Sequence, residues 1–150
     1  MNLLEIRGVT RYFGGLAALT NVTFDVRKGE ILGLIGPNGA GKTTLFNVAN
    51  GFYSPTHGEV FFKGMNISGL KPHQICKLGL GRTFQVVKPL QRMTTLDNVI
   101  ASAFLRSKSK AEATESAVEN LRFTGLYEDR NIVSRGCLWA NGRNSRSQGP

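Results

Sequence analysis

The sequence contains few acidic residues and no cysteine pattern typical of a metal site or a disulfide framework. Ten Asp and Glu stand against nineteen Lys and Arg, and no acid follows Asp129. The two cysteines, Cys76 and Cys137, are far apart, which indicates free thiols in a reducing cytoplasm. The two histidines, His57 and His73, have no metal-binding or catalytic partner at useful spacing, and we expect both at the surface.

Long apolar runs are also missing. No stretch approaches the roughly 20 residues that a membrane-spanning helix needs, and the N-terminus lacks the basic-then-apolar layout of a secretion signal. The chain of 150 residues is 41% hydrophobic and 19% charged, which suits one globular domain. A net charge of +9 could indicate a nucleic-acid partner, but the basic residues are scattered without a run of five like charges. We therefore expect no nucleic-acid partner.

One stretch has a clear chemical pattern, the glycine-rich segment from Gly36 to Thr43. It matches the phosphate-binding pattern G-x-x-x-x-G-K-[ST], with an apolar run before it (31–35) and an apolar-periodic segment after it (45–49). Its glycines let backbone N–H groups turn toward an anion, and the following helix adds the positive end of its dipole. Lys42 supplies a charge to the β- and γ-phosphates, and the Thr43 hydroxyl is placed to ligate Mg²⁺. The alternative, a glycine-rich turn that binds nothing, fits this context poorly.

The remaining pattern predicts an alternation of strands and helices. The expected strands cover 3–9, 22–26, 31–35, 59–63 and 80–85, and the expected helices cover about 42–50, 72–79, a segment starting at 95, and 110–124. Thr94 with Asp97, and Ser109 with Glu112, have the spacing of capping boxes. Residues 11–15 form a predicted turn with two adjacent aromatics, Tyr12 and Phe13. One of them could stack on an adenine ring, although an ordinary packing role for both is the simpler interpretation from the residues alone.

Taken together, five features resemble the ATP-binding subunit of ABC transporters, and more narrowly the branched-chain amino acid importer group. The resemblance covers residues 1 to about 133. The features are Phe13-Gly14, the phosphate loop, Gly58-Glu59-Val60, Gly81-Arg82-Thr83-Phe84-Gln85, and Met93-Thr94-Thr95-Leu96-Asp97-Asn98-Val99. The implied fold is an α/β P-loop NTPase, truncated, with antiparallel strands beside a parallel nucleotide-binding core and the start of a helical subdomain at about 94–125.

The resemblance also implies ligands and roles. The cofactors would be ATP and Mg²⁺, with Thr43 and Gln85 on the metal and Gln85 also reaching the attacking water as the catalytic residue. Phe13 would stack on adenine, which replaces the packing interpretation given above. The nucleotide-binding set would be Phe13, Gly36, Pro37, Asn38, Gly39, Ala40, Gly41, Lys42, Thr43 and Thr44.

Partners and location follow from the same resemblance. The loop from about Val86 to Met93 would face membrane-spanning permease subunits, and a second ATP-binding subunit would complete the site. The protein would be cytoplasmic and peripheral on the inner face of the membrane. The chemistry would be phosphoryl transfer from ATP to water, which depends on positioning and electrostatic stabilisation.

The chain departs from this family in its last third. The L-S-G-G-Q-like signature, the second acidic strand and the switch histidine are all missing, so we expect weak nucleotide binding at most and no hydrolysis by this chain. A nucleotide-binding module without hydrolysis is therefore an open alternative. A GTPase would need an N-K-x-D guanine motif, which is absent, and a small-molecule kinase would need an Arg-rich lid, which 82–85 does not resemble.

Residues 134–150 do not fit the pattern of the rest. They lack periodicity, hold the only Trp and carry no acid, so by composition they would be a disordered tail. Back-translated and shifted by one base, however, the codons from Cys137 onward permit L-[SP]-[LMV]-G-[KQ]-R-x-x-L-E-I-A-R-A, with the glycine forced by Trp139-Ala140. This resembles the family signature and the helix that follows it. We therefore hypothesise a frameshift between about Val133 and Cys137, with 1–133 as the N-terminal part of an ATP-binding domain.

Overall fold

A computed structural model describes residues 2–85 and 88–133 of the chain. The chain divides into two compact units, the first ending at Thr83 and the second beginning at Phe84. The hypothesis about the tail concerns residues outside the described ranges, as does the part of the predicted permease-facing loop at Val86 and Val87.

The first unit is built on a four-stranded antiparallel sheet in the order β2-β1-β3-β4. Its strands are β1 (Asn2–Phe13), β2 (Leu16–Arg27), β3 (His57–Phe62) and β4 (Met65–Asn66). β1 is central, pairing Ile6 with Phe24 on one side and with Val60 on the other. β1 extends through residues 11–13, which the sequence predicted as a turn, because β2 continues to pair with it up to Leu16.

Two helices complete this unit, α1 (Lys42–Ala49) and α2 (Pro72–Leu78). Both were predicted, and α2 ends as expected at a glycine in the left-handed region, Gly79. The sheet and the helices share one apolar core, because the inward side chains of β1 and β3 and the buried stripes of both helices meet there. Its buried members are Ile6, Val9, Leu19, Leu45, Val48, Ala49, Val60, Phe62, Ile67 and Ile75.

The predicted strand at 31–35 is not a strand in this structure, and the prediction of a buried run is wrong, because all five residues are exposed. Ile31 and Ile35 are 99% and 96% exposed. The segment keeps a strand-like alternation, because Leu32 and Leu34 line an apolar cavity of about 150 Å³ whose other walls come from β1, β2 and α1. A strand needs a neighbour for its backbone groups, and the described residues provide none here.

The same correction applies to 80–85, which has no strand hydrogen bonds. The parallel core implied by the resemblance is therefore not formed by the described residues, whose paired strands are all antiparallel. Arg82 instead donates to Asn47 Oδ1 on α1, within the first unit.

The second unit contains α3 (Thr95–Ala103) and α4 (Lys110–Phe123). Thr94 caps α3 as predicted: its hydroxyl accepts from the Asp97 N–H at 3.1 Å while Asp97 accepts from the Thr94 backbone N–H. Ser109 caps α4 by accepting from the Glu112 N–H at 3.2 Å. The buried stripe of α4 is Ala113, Ala117 and Leu121. No helix within 2–85 and 88–133 is long and apolar enough to cross a membrane.

Candidate functional site

The glycine-rich loop leads directly into the first turn of α1. Gly41 is the N-cap residue of this helix, with φ 82° and ψ 2° in the left-handed region. A Cβ at this position would lie 2.5 Å from the Ala18 carbonyl oxygen and 2.9 Å from Leu19 Cδ2. Only glycine satisfies both the backbone conformation and this close approach to β2. The sheet therefore fixes where the loop ends and where the helix begins.

The start of α1 differs from the starts of α3 and α4. No side chain caps α1 and its first turn carries no acidic residue. In contrast, α3 and α4 each have a hydroxyl cap and an acid in the first turn. Since the first N–H groups of a helix have no intrahelical partner, those of α1 are left for an external acceptor. The positive end of the helix dipole adds to the attraction, and this arrangement suits an anion such as phosphate.

The side chain of Lys42 folds back over the loop. Its Nζ donates to the Gly36 carbonyl oxygen at 2.5 Å and to the Pro37 carbonyl oxygen at 2.6 Å. These bonds hold the ammonium group beside the start of α1, and an ammonium group has a third donor to offer. The lysine thus contributes a second positive charge next to the helix terminus.

The neighbouring loop residues are accessible. Asn38, Gly39, Ala40 and Thr43 are exposed, while Thr44 is half-buried. The Ala40 N–H donates to the Pro37 oxygen at 3.3 Å, which closes the turn. The Thr43 hydroxyl is a hard oxygen donor in the first turn of α1, and such a donor fits Mg²⁺, which prefers oxygen ligands. Within the described residues there is no cluster of three or more His, Cys, Asp or Glu that could hold a metal by itself.

Phe13 lies at the end of β1 and is 38% exposed. Its ring meets that of Tyr53 edge to face, with centroids 5.1 Å apart and an interplanar angle of 78°. The guanidinium of Arg11 lies over both rings, 4.8 Å from the Phe13 centroid and 5.5 Å from the Tyr53 centroid. Neither Arg11 nor Tyr53 was predicted as a site residue from the sequence. The aromatic pair Phe52-Tyr53 directly after a phosphate-loop helix was a signal for the latter.

Gln85 belongs to the second unit, where it is exposed and lies in a bend. Its proposed contacts with metal and water concern groups of the first unit, and they stay predictions. The two histidines, His57 on β3 and His73 on α2, are exposed, as expected from the sequence. Cys76 is a half-buried free thiol.

Comparison with known proteins gives consistent matches. The family profile described as "ABC transporter" matches residues 19–146. The chain is 46% identical over 100 residues to the "Probable branched-chain amino acid transport ATP-binding protein LivG" of Archaeoglobus fulgidus, covering 67% of this chain and 39% of that protein. It is 38% identical over 156 residues to the "High-affinity branched-chain amino acid transport ATP-binding protein LivG" of Escherichia coli, covering 94% of this chain and 61% of that protein.

The fold agrees with these matches. The solved ADP conformation of an ATP-binding cassette of an ABC transporter superposes with a TM-score of 0.77 at 31% identity, covering 89% of this chain and 58% of that one. The chain therefore has the fold of a P-loop ATP-binding cassette, which confirms the fold class expected from the sequence. It spans less than two thirds of the length of these relatives, between 39% and 61%.

Proposed function

Because the chain belongs to the ABC transporter family, we propose that it is the ATP-binding subunit of an importer that couples ATP binding and hydrolysis to transport. The names of the LivG relatives support branched-chain amino acids as the cargo. Permease subunits and a second ATP-binding subunit are the proposed partners. The proposed location is peripheral on the inner face of the membrane.

The observation that carries the proposal is the uncapped start of α1 with the Lys42 ammonium beside it. This combination provides N–H donors without a side-chain cap and a positive charge on the same loop, which suits the β- and γ-phosphates of ATP. The proposed phosphate-binding set is Gly36, Pro37, Asn38, Gly39, Ala40, Gly41, Lys42, Thr43 and Thr44. Phe13 is proposed to stack on the adenine ring.

Mg²⁺, when bound, would supply positive charge that offsets the negative charge of the phosphates. Thr43 and Gln85 are the residues proposed to hold it. The chain's own contribution is positional: the backbone N–H groups and Lys42 orient the terminal phosphate, and Gln85 orients the attacking water.

Isothermal titration of the 150-residue chain with MgATP tests the proposal. We expect Lys42→Ala to weaken binding about 10-fold to 100-fold, the range for a lost hydrogen bond to a charged group. Lys77→Ala is the matched control, because it removes an exposed lysine of α2. Equal affinities of the wild type and Lys42→Ala would refute a phosphate site at this loop.

For the 150-residue polypeptide itself, we propose nucleotide binding without turnover, the second candidate function. The supporting observation is that no Asp or Glu follows Asp129, so a general base from that part of the sequence is missing. A phosphate-release assay at saturating MgATP decides the point. Release clearly above that of the Lys42→Ala variant would show that the chain hydrolyses ATP.

The frameshift hypothesis has its own test in the coding DNA from codon 130 onward. If the hypothesis holds, the shifted frame stays open and encodes an apolar strand ending in Asp-Glu and a later histidine. A shifted frame that closes at once would establish residues 134–150 as a genuine tail and would favour the module without hydrolysis.

A further inference from the structure

Two aromatic rings from distant parts of the first unit form a corner at the end of β1. Phe13 ends that strand, and Tyr53 follows α1 after a short turn. Their rings are nearly perpendicular, at 78°, with centroids 5.1 Å apart. Both side chains keep over a third of their surface exposed, 38% for Phe13 and 37% for Tyr53. A flat ligand can therefore lie on the face of one ring while it touches the other.

Arg11 contacts both rings of this corner. Its guanidinium lies over both rings, and its NH1 group donates to the Ser54 carbonyl oxygen at 2.9 Å. Its Nε is buried without a hydrogen-bond partner, and no salt bridge joins this arginine to an acid in the described part of the chain. The rings and one backbone carbonyl therefore set its position. Because the guanidinium lies over one face of Phe13, that face is closed to a base.

The corner is tied to the helix that begins at the phosphate loop. The Tyr53 N–H donates to the Asn47 carbonyl oxygen of α1 at 3.2 Å. On the strand side, the Thr56 N–H donates to the Thr10 oxygen at 2.8 Å, and the Tyr12 N–H donates to Thr56 Oγ1 at 3.1 Å. Asn47 lies five residues after Lys42, about 8 Å along the helix axis. One short helix thus links the rings to the phosphate-binding groups.

We propose that Tyr53 supplies a second ring to the nucleotide's base site and that Arg11 is the positioning residue that holds Phe13 and Tyr53 in place. This inference rests on the proposed function, in which Phe13 stacks on the base of a bound nucleoside triphosphate. An aromatic side chain can stack on any of the bases, since every base has a π-face. The contribution of the corner is therefore affinity for a base as such, rather than a choice between purines.

The test separates base binding from phosphate binding. Isothermal titration of the 150-residue chain with MgATP and with magnesium tripolyphosphate gives two dissociation constants. The dissociation constant for tripolyphosphate divided by that for MgATP measures the contribution of the nucleoside, and a smaller ratio means a smaller contribution. We expect Arg11→Met and Tyr53→Leu each to weaken MgATP binding about 5-fold to 20-fold. Tripolyphosphate binding should change by less than about twofold, since the phosphate loop is untouched. Arg11→Lys should give a ratio between those of Arg11→Met and the wild type, because lysine keeps the positive charge.

Arg7→Met is the matched control. Arg7 lies on the same strand and its guanidinium also covers a ring, that of Phe61 at 4.4 Å, but it pairs with Glu5 instead of bordering the corner. Its loss should leave the ratio unchanged. A merely structural role for Arg11 would weaken both ligands equally, and that result would overturn the inference.

Two further outcomes distinguish this inference from the proposed function. If Phe13→Leu lowers the ratio while Arg11→Met and Tyr53→Leu do not, Phe13 acts alone and the inference is wrong, although the proposed function stands. If the wild-type chain binds neither ligand, or if Lys42→Ala leaves tripolyphosphate binding unchanged, the proposed phosphate site is wrong and the inference is overturned with it.

Discussion

Gly41 offers a sharp test of how the sheet shapes the phosphate loop. Its φ of 82° lies in the left-handed region, where a residue with a Cβ costs about 1–2 kcal/mol. The added methyl group of Gly41→Ala would also lie 2.5 Å from the Ala18 carbonyl oxygen. That oxygen is backbone of β2, so it cannot move aside as a side chain could. Overpacking of this kind costs a further 1–3 kcal/mol or so, and the sum is about 2–5 kcal/mol.

Gly39→Ala is a control that shares one of these two costs. Gly39 has φ 83°, almost the same as Gly41, but a Cβ there would meet nothing within 4 Å. We therefore expect it to lower the free energy of unfolding by only about 1–2 kcal/mol. The difference between the two variants isolates the steric contact with β2.

Urea unfolding of both variants, followed by circular dichroism, measures the free energies of unfolding. We expect the free energy of unfolding of Gly41→Ala to be lower than that of Gly39→Ala by about 1–3 kcal/mol. Equal destabilisation of the two variants would refute the steric contact, because the approach of the loop to β2 would then have no consequence in solution. A deficit confined to nucleotide binding, with both variants equally stable, would refute it as well.

Three other substitutions test the packing of each unit. Leu45→Ala, at a residue 5% exposed in the core, should lower the free energy of unfolding by about 2–5 kcal/mol, measured by urea titration; a loss below 1 kcal/mol would contradict the described core. Ile31→Thr with Ile35→Thr should change stability by less than about 0.5 kcal/mol, since both side chains are almost fully exposed, and should raise solubility, measured by light scattering; a large destabilisation would show that these side chains are buried in solution. Thr94→Ala removes the cap of α3 and should cost about 0.5–2 kcal/mol, measured by thermal unfolding, and restoration by Thr94→Ser would identify the hydroxyl as the cause.

The features that the sequence predicted correctly depend on contacts between residues that are only a few positions apart in the chain. The hydroxyl of Thr94 and the carboxylate of Asp97 cap α3 over three residues. Gly79 ends α2 because only its own backbone must enter the left-handed region. The start of α1 at Lys42 is of the same kind, since the Lys42 side chain reaches carbonyl oxygens five and six residues before it. Residue type and spacing are therefore sufficient to predict short-range contacts of this sort.

The features that the sequence did not predict depend on partners far along the chain. Nothing near Phe13 indicates that its ring meets Tyr53, forty residues later, or that Arg11 reaches the carbonyl of Ser54. The extension of β1 through residue 13 likewise depends on where β2 begins. From the residues alone, stacking was the less favoured interpretation for one of the aromatics Tyr12 and Phe13, and only the resemblance to a family favoured Phe13. The structure supplies the neighbours from which a role for Arg11 and Tyr53 can be argued.

The segment 31–35 shows the limit of a hydrophobic pattern most clearly. Apolar residues there predict a strand buried on both faces, but burial of the second face requires a neighbouring layer and pairing requires a neighbouring strand. The face of Leu32 and Leu34 is covered only in part within the first unit, where both side chains line an apolar cavity shared with β1, β2 and α1 and remain 47% and 40% exposed. The face of Ile31 and Ile35 meets nothing in the described residues and stays exposed. The pattern thus reports what a segment is suited to bury, and the fold decides which part of that surface finds a partner.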